Sequence, residues 1–262
     1  MRVLVLTGAG VSAESGIPTF RGKDGYWRKL DPIKLATADA FTRDPQLVWD
    51  WYRERRQRIS DARPNAAHEA IARLAQQTND FLLITQNVDD LHMRGGVPAE
   101  KMVQIHGDIF VTRCSRCGFS NVDRGGSTEP PGPRAIHSES GRLRSIAPTL
   151  EDDLGVPTCP NCTALMRPGV VWFGEQLPWN EMQRVETFLD GGGCDVVIVA
   201  GTTATFGYII DWALRGSRNG GQLIEVNPEQ TPLSRFATQL VPEPAAIALP
   251  RIVDGLRTSR SL

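Results

Sequence analysis

Four apolar runs, Val3–Thr7, Phe81–Thr85, Val196–Ala200 and Leu223–Val226, each end in glycine, polar or turn residues. Short runs of this kind read as strands buried on both faces, the habit of a parallel sheet. Between them lie amphipathic stretches: Ala66–Gln76, with Ala67, Ile71 and Leu74 on one face, and Phe206–Gly216. This alternation predicts an α/β fold, a Rossmann-like doubly wound parallel sheet. Two regions break the rhythm. Pro32 to Ser60 reads as purely helical, and Asp108 to about Arg167 holds scattered Gly and Pro with few apolar runs. The polar, Pro-rich middle of the latter, Asp123 to Asp153, reads as a long loop. The expected organisation is a sheet domain built from residues 1–30, 78–107 and 168–262. A smaller module joins a helical insertion (31–77) to a cysteine-bearing insertion (108–167).

Composition changes this picture little. A chain of 262 residues can bury a substantial core, and its net charge of −1 offers no general attraction to nucleic acid or to an anionic membrane. No apolar run approaches a membrane span, and the opening Met1 to Leu6 turns into Thr7-Gly8 too soon for a signal peptide. The default expectation is a cytoplasmic, reducing location, where paired cysteines point to a metal rather than to disulfides. Nothing speaks to oligomeric state, and a monomer is the default.

The first strand runs straight into Gly8-Ala9-Gly10-Val11-Ser12-Ala13. A G-x-G-x-x-A turn between a strand and a helix is the context in which that pattern binds a dinucleotide. Gly8 permits the tight turn, Gly10 lets backbone approach a pyrophosphate, and the small Ala13 lets the helix sit close to the strand. The helix N-terminus adds N–H groups for the phosphates. A ligand-free tight turn fits the same residues. A dehydrogenase should show an acidic residue at the end of a second strand about 20 positions on; here the chain continues Ser15-Gly16-Ile17-Pro18-Thr19-Phe20-Arg21-Gly22. Hydride transfer is therefore disfavoured.

Cys114-Ser115-Arg116-Cys117 and Cys159-Pro160-Asn161-Cys162 are two C-x-x-C pairs separated by 41 residues. Four thiolates suit a tetrahedral structural zinc with no open position, holding a segment too poor in apolar residues to fold alone. A thioredoxin-like redox pair is the rival. Cys194 reads as a small buried hydrophobe. After the second strand comes Gln86-Asn87-Val88-Asp89-Asp90-Leu91-His92, polar groups at the end of a strand where α/β sheets bind ligands. Turn formation and helix capping explain the same residues. Gln104-Ile105-His106-Gly107 follows, with a histidine that by itself reads equally as a structural residue.

Taken in order, these segments resemble the sirtuin family. The residues that carry the likeness are Gly8 to Arg21, Thr85 to His92, His106-Gly107, the two C-x-x-C pairs, Val171-Trp172-Phe173-Gly174-Glu175, Gly201-Thr202-Thr203 and Asn227-Pro228-Glu229. The likeness covers about residues 3 to 255. It implies an enzyme that transfers the ADP-ribose of NAD onto an acyl-lysine, releases nicotinamide, and yields free lysine and O-acyl-ADP-ribose. Gly8, Ala9, Gly10, Ser12, Ala13 and Glu14 would hold the cofactor's pyrophosphate side, and Phe20, Arg21 and Trp27 would close over it. Asn87 and Asp89 would orient nicotinamide and a water, with Gln86 and Val88 nearby. Gly201, Thr202, Thr203, Asn227, Pro228, Glu229 and Ala245 would complete the NAD site. His106 would act after nicotinamide has left, taking a proton from a ribose hydroxyl; an imidazole with a pKa of about 6.5 suits that task. Val171 to Glu175 would pair with acyl-lysine proteins or peptides as an added strand.

Within that family, the resemblance also suggests which acyl group is removed. Asp44 to Arg56 reads as a helix placing Tyr52 and Arg55 on one face. The subgroup that removes succinyl, malonyl and glutaryl groups has a Tyr and an Arg at this spacing, where a guanidinium and a phenol can grip a distal carboxylate. A solvated basic face of Arg53, Arg55, Arg56 and Arg58, with Glu54 paired to Arg58, is the alternative. Departures include Thr203 where Ser is commoner, and the absence of glycine in Pro244-Ala245-Ala246. A non-catalytic NAD or ADP-ribose-binding module, a plain deacetylase and a mono-ADP-ribosyl transferase are the competing readings.

Overall fold

The computed structural model describes residues 1–19, 34–124 and 155–258. Phe20, Arg21, Trp27 and most of the expected loop Asp123–Asp153 lie outside them. Among the described residues a six-stranded sheet runs in the order β3-β2-β1-β7-β8-β9, every pairing parallel. Its strands are β1 (Arg2–Thr7), β2 (Asp80–Thr85), β3 (Met102–Gln104), β7 (Val196–Ala200), β8 (Gln222–Val226) and β9 (Gln239–Val241). The four apolar runs are the four central strands, as the pattern predicts. The two edge strands are three residues each, too short to leave a periodic trace.

Side-chain alternation along β1 and β2 feeds two cores. Val3, Val5, Phe81 and Leu83 face α4 (Ala66–Gln77) and α8 (Ala245–Thr258). Leu4, Leu6, Leu82 and Ile84 face α6 (Trp179–Asp190) and α7 (Gly207–Gly216). Burial of both faces is why these strands read as unbroken apolar runs. Helix α4 begins with a capping box: Asn65 accepts from the chain at Ala67, while His68 Nδ1 accepts the Asn65 N–H at 3.2 Å. The sequence groups α4 with the helical insertion 31–77, yet it packs on the parallel sheet, because its apolar face matches the sheet's and α8 lies beside it.

A second, antiparallel sheet holds β4 (Gly107–Cys114) between β5 (Ser120–Val122) and β6 (Met166–Val170). Against it sit α2 (Ala38–Arg43) and α3 (Pro45–Asp61), with Val48, Trp49, Trp51, Tyr52, Ile109, Phe110, Val170 and Trp172 in one cluster. Helix α3 starts where Asp44 caps it, its Oδ1 accepting the Leu47 N–H at 2.9 Å, with Pro45 at the first helical position. No described helix is long and apolar enough to cross a membrane.

Candidate active site

The parallel sheet changes winding direction between β1 and β7, and ligands of such sheets bind at that switch point, beyond the carboxyl ends of the strands. The chain after Thr7 and the chain after Ala200 meet there. Gly10 donates its N–H to the Gly201 carbonyl at 2.8 Å, and Gly8 donates to Ala200 at 3.1 Å. A Cβ on Gly8 or Gly10 would lie 2.8 Å from Gly201 backbone atoms, so glycine is required by backbone approaching backbone. Helix α1 (Gly10–Ala13) is only one turn long. Its Val11 and Ser12 N–H groups bond to the Gly8 and Ala9 carbonyls. The Gly201 turn sits close, and the tight turn takes up these two donors.

Every expected site residue of the sheet lies at this end. Gln86, Asn87, Val88 and Asp89 lie between β2 and the short helix α5 (Leu91–Arg94); His106 follows β3; Thr202 and Thr203 follow β7; Asn227, Pro228 and Glu229 follow β8; and Ala245 opens α8. Glu14 reaches the same place from α1, accepting the Ala246 N–H at 2.8 Å. Gln86 Nε2 bridges the two halves, donating to the Thr202 hydroxyl at 2.9 Å and to the Thr7 carbonyl at 3.2 Å.

Beneath the turn is a buried polar knot centred on Ser12. Ser12 donates to Asp89 Oδ2 at 2.9 Å and accepts from Asn87 Nδ2 at 3.1 Å. Because His68 Nδ1 accepts the Asn65 N–H, its Nε2 carries the proton and points at Ser12 Oγ, 3.4 Å away. The His92 ring lies tilted at 58° to that of His68 with centroids 4.7 Å apart, and its Nε2 meets the Thr7 hydroxyl at 3.0 Å while Nδ1 is buried without a partner among the described residues. Burial raises the Asp89 carboxyl to about 6 against hydrogen bonds from Leu91 and Ser12. Burial also lowers His68 to about 4 and keeps His92 neutral. A buried ring nitrogen with no partner among the described residues fits a site that completes its hydrogen bonds with a polar ligand. The sequence offers no sign that Thr7 and His68 belong here, since Thr7 ends a strand and His68 reads as a helix-face residue.

His106 is half-buried, its Nδ1 at 2.9 Å from the Gln86 carbonyl and its Nε2 at 2.6 Å from the Tyr208 hydroxyl. The carbonyl can only accept, so Nδ1 bears the proton and Nε2 the lone pair. Burial lowers its pKa, opposed by the Gln86 bond, and the ring is neutral near pH 7. Phe206 lies edge-on to it at 5.7 Å. Both aromatics were beyond sequence reasoning, because they sit at the start of α7 with no motif around them.

From the smaller sheet, Tyr52 and Trp172 approach each other: Trp172 Nε1 donates to Tyr52 Oη at 3.0 Å, and both are buried. The Arg55 guanidinium lies 4.7 Å from the Trp51 ring centre and 5.4 Å from that of Tyr52. Its charge opposes the burial that raises the Tyr52 phenol. The solvated basic face forms in part: the expected Glu54–Arg58 pair is present and exposed, but not every arginine faces solvent. Arg56 turns inward to the Ile109 and Val111 carbonyls, while Arg53 pairs with Asp50 and Arg58 with Glu54.

The segment Val171–Glu175 is not a strand. Its N–H groups at Val171, Trp172, Phe173 and Glu175 go to His106 O, Glu175 Oε2, Ala36 O and Trp172 O. A partner strand would find carbonyls rather than these donors, which narrows the expected added-strand pairing. Arg167 stacks 3.3 Å from the Trp172 ring and pairs with Glu175, fixing the loop from behind; Gly174 makes the turn at φ +85°.

The four cysteines converge, all Sγ atoms within 4.8 Å of one another, with Cys114–Cys162 and Cys117–Cys159 each 3.5 Å apart. A tetrahedral zinc with Zn–S bonds of about 2.3 Å needs sulfurs roughly 3.8 Å apart, so the set fits that ion. The Cys117 and Arg116 N–H groups aim at Cys114 Sγ at 3.4 and 3.3 Å and lower its thiol pKa.

A Rossmann-like sheet with its polar residues gathered at the switch point, joined to a four-cysteine knuckle, defines a two-sheet α/β class. The Sir2 family profile matches residues 8–206, and the chain belongs to that family, the sirtuins. An NAD-dependent protein deacylase of Aquifex aeolicus is 40% identical over 257 residues, 98% of this chain and 96% of that one. One of Mycolicibacterium paratuberculosis is 40% identical over 258 residues, 98% of each chain. A Sir2 homologue crystallised with NAD superposes with a TM-score of 0.80 at 39% identity, covering 98% of this chain and 90% of that one.

Proposed function

We propose that this chain is an NAD-dependent protein-lysine deacylase that moves the acyl group to ADP-ribose with release of nicotinamide, and that it prefers acyl groups ending in a carboxylate, such as succinyl and malonyl. The carrying observation is His106, a neutral imidazole locked by Gln86 with its lone pair on Nε2, beside the buried Ser12–Asn87–Asp89 knot. Binding alone needs no such base. Relatives named as NAD-dependent deacylases support the activity.

Gly8, Ala9, Gly10, Ser12, Ala13, Glu14, Gly201, Thr202 and Thr203 hold the dinucleotide at the switch point. Asn227, Pro228, Glu229 and Ala245 take its adenosine end. Asn87 and Asp89 hold the nicotinamide, with Gln86 and Val88 beside it. His106 Nε2 takes the proton of a ribose hydroxyl, and Val171 to Glu175 receives the acyl-lysine chain. The four cysteines hold one structural zinc, which keeps the smaller sheet in place. For the acyl group, Arg55 supplies a cation beside the Tyr52 ring, 5.4 Å from its centre. Tyr52 Oη already accepts from Trp172, which leaves its own proton to donate to a carboxylate.

The test is NAD-dependent turnover of one lysine peptide carrying succinyl or acetyl. Succinyl should be preferred, and Arg55→Met should remove that preference by roughly 10- to 100-fold, the worth of a charge-assisted hydrogen-bond pair. His106→Ala should lower both activities by roughly 100- to 10,000-fold. Acetyl preference with a silent Arg55→Met would reduce the protein to a plain deacetylase, and no nicotinamide release from any acyl peptide would leave only a binding module.

A further inference from the structure

His106 Nε2, the nitrogen that must accept a proton, is already occupied. Tyr208 Oη sits 2.6 Å away, and because Nδ1–H is committed to the Gln86 carbonyl, the phenol must be the donor. Burial raises the Tyr208 pKa, so the phenol keeps its proton. The ring has little freedom. It stacks on Phe206 at 5.4 Å with an interplanar angle of 11°, and leans on the buried Trp212 at 4.9 Å, one turn along α7. Phe206 in turn meets the imidazole edge-on. The turn delivering these aromatics passes through Ala204, buried at φ +48°, its N–H held by the Thr202 hydroxyl at 3.2 Å. A buried alanine in the left-handed region persists only where its surroundings hold it.

We propose that Tyr208 is a positioning residue for His106: it holds the imidazole in the Nε2-accepting tautomer, and its oxygen then receives the Nε2–H once the base is protonated. The inference rests on the deacylase reading for its catalytic consequence only. In the free protein the Tyr208 O–H donates to the Nε2 lone pair. When the substrate's ribose hydroxyl arrives, the phenol O–H turns away and the ribose oxygen comes in beside Tyr208 Oη, so that the two oxygens share the Nε2 direction. The ribose O–H bond breaks, the N–H bond forms at Nε2, and the oxygen's freed pair bonds to the acyl carbon of the imidate while the carbon–nitrogen π pair returns to the lysine nitrogen. The imidazolium then has Nδ1–H on Gln86 O and Nε2–H on Tyr208 Oη, so both charged donors are satisfied. No further proton is needed. The groups against the ring are Gln86 from the end of β2, and Phe206 and Tyr208 from the α7 side; burial and the Gln86 bond are what shift it.

Nitrogen-15 NMR of histidine-labelled protein tests the hydrogen bond without turnover, and the chain has only four histidines to assign. In wild type, His106 should show Nδ1 protonated and Nε2 as a hydrogen-bonded acceptor, its resonance moving downfield in Tyr208→Phe. In kinetics, Tyr208→Phe should retain nicotinamide exchange, which precedes the action of His106, while deacylation falls roughly tenfold, the worth of one hydrogen bond. A wild-type His106 protonated on Nε2, an unmoved resonance in the variant, or exchange and deacylation falling by one common factor would each overturn the proposal. Loss of exchange in wild type itself would sink the deacylase reading and leave the NMR result standing.

Discussion

Around the carboxyl ends of the parallel strands, buried polar groups are satisfied mainly by one another. Ser12, Asn87, Asp89 and His68 form a knot supported by two cores, one of which contains β1, β2, α4 and α8. Around the cysteines the support is thin: Cys114, Cys159 and Met166 are the buried members of their cluster, with Phe119, Cys162 and Ala164 only partly covered. One region can hold perturbed groups because packing surrounds them. The other has its polar atoms converge because an ion takes the place of a core. The difference teaches that the same chain uses hydrophobic burial to store electrostatic strain and metal ligation to replace hydrophobic burial.

The largest test of that contrast is to remove the ion. Cys159→Ser, or chelation, should abolish the single zinc equivalent and deacylation together, since metal binding of this kind contributes on the order of 10 kcal/mol to folding of its segment. Far-ultraviolet circular dichroism should keep most of its signal, because the six-stranded sheet does not depend on the knuckle. A metal-free protein with full activity and an unchanged melting curve would erase the distinction.

A smaller effect is expected inside the polar knot. Asp89 has its pKa raised from 3.8 to about 6 by burial, so the folded state holds a proton that the unfolded chain releases. Its stabilising contribution is complete below pH 4 and is lost as the pH rises through 6. Asp89→Asn should therefore melt higher than wild type at pH 7.5, by ~2–3 kcal/mol, with no advantage at pH 4. His68 works the other way: lowered to about 4, it costs stability as pH falls from 6.5 toward 4. Melting points measured across pH 4 to 8 separate the two, and a variant no more stable than wild type at pH 7.5 refutes the assignment. The variant should lose activity in either case.

The smallest effect concerns Cys194, the fifth cysteine, which is 3% exposed in the core on the α6–α7 face. Cys194→Ala should cost about 1 kcal/mol by lost packing, and leave turnover within twofold. A large loss of zinc or of activity would show that this thiol belongs functionally with the other four.

Much of this was legible from pattern. Two-sided burial makes a parallel strand a continuous apolar run, so the four central strands announced themselves, while three-residue edges such as Met102–Gln104 had no length in which to show a period. Paired cysteines and G-x-G-x-x-A carry their chemistry in local spacing. The α3 register was equally readable, since Asp44 and Pro45 mark its start and the spacing of Tyr52 and Arg55 follows. Whether the nearby arginines faced solvent was not, because Arg56 turns inward to carbonyls of β4, a strand about fifty residues away in the chain.

By itself, then, the amino-acid sequence determined the strand and helix rhythm, the glycine turn, the cysteine set and the family resemblance, all of which depend on residues near one another in the chain. Tertiary structure alone decided which groups meet across it: Ser12 with Asp89, Trp172 with Tyr52, Tyr208 with His106. It also decided their ionisation, because a carboxyl or imidazole shifts only when packing removes water from it, and water is excluded by the whole fold rather than by any single motif.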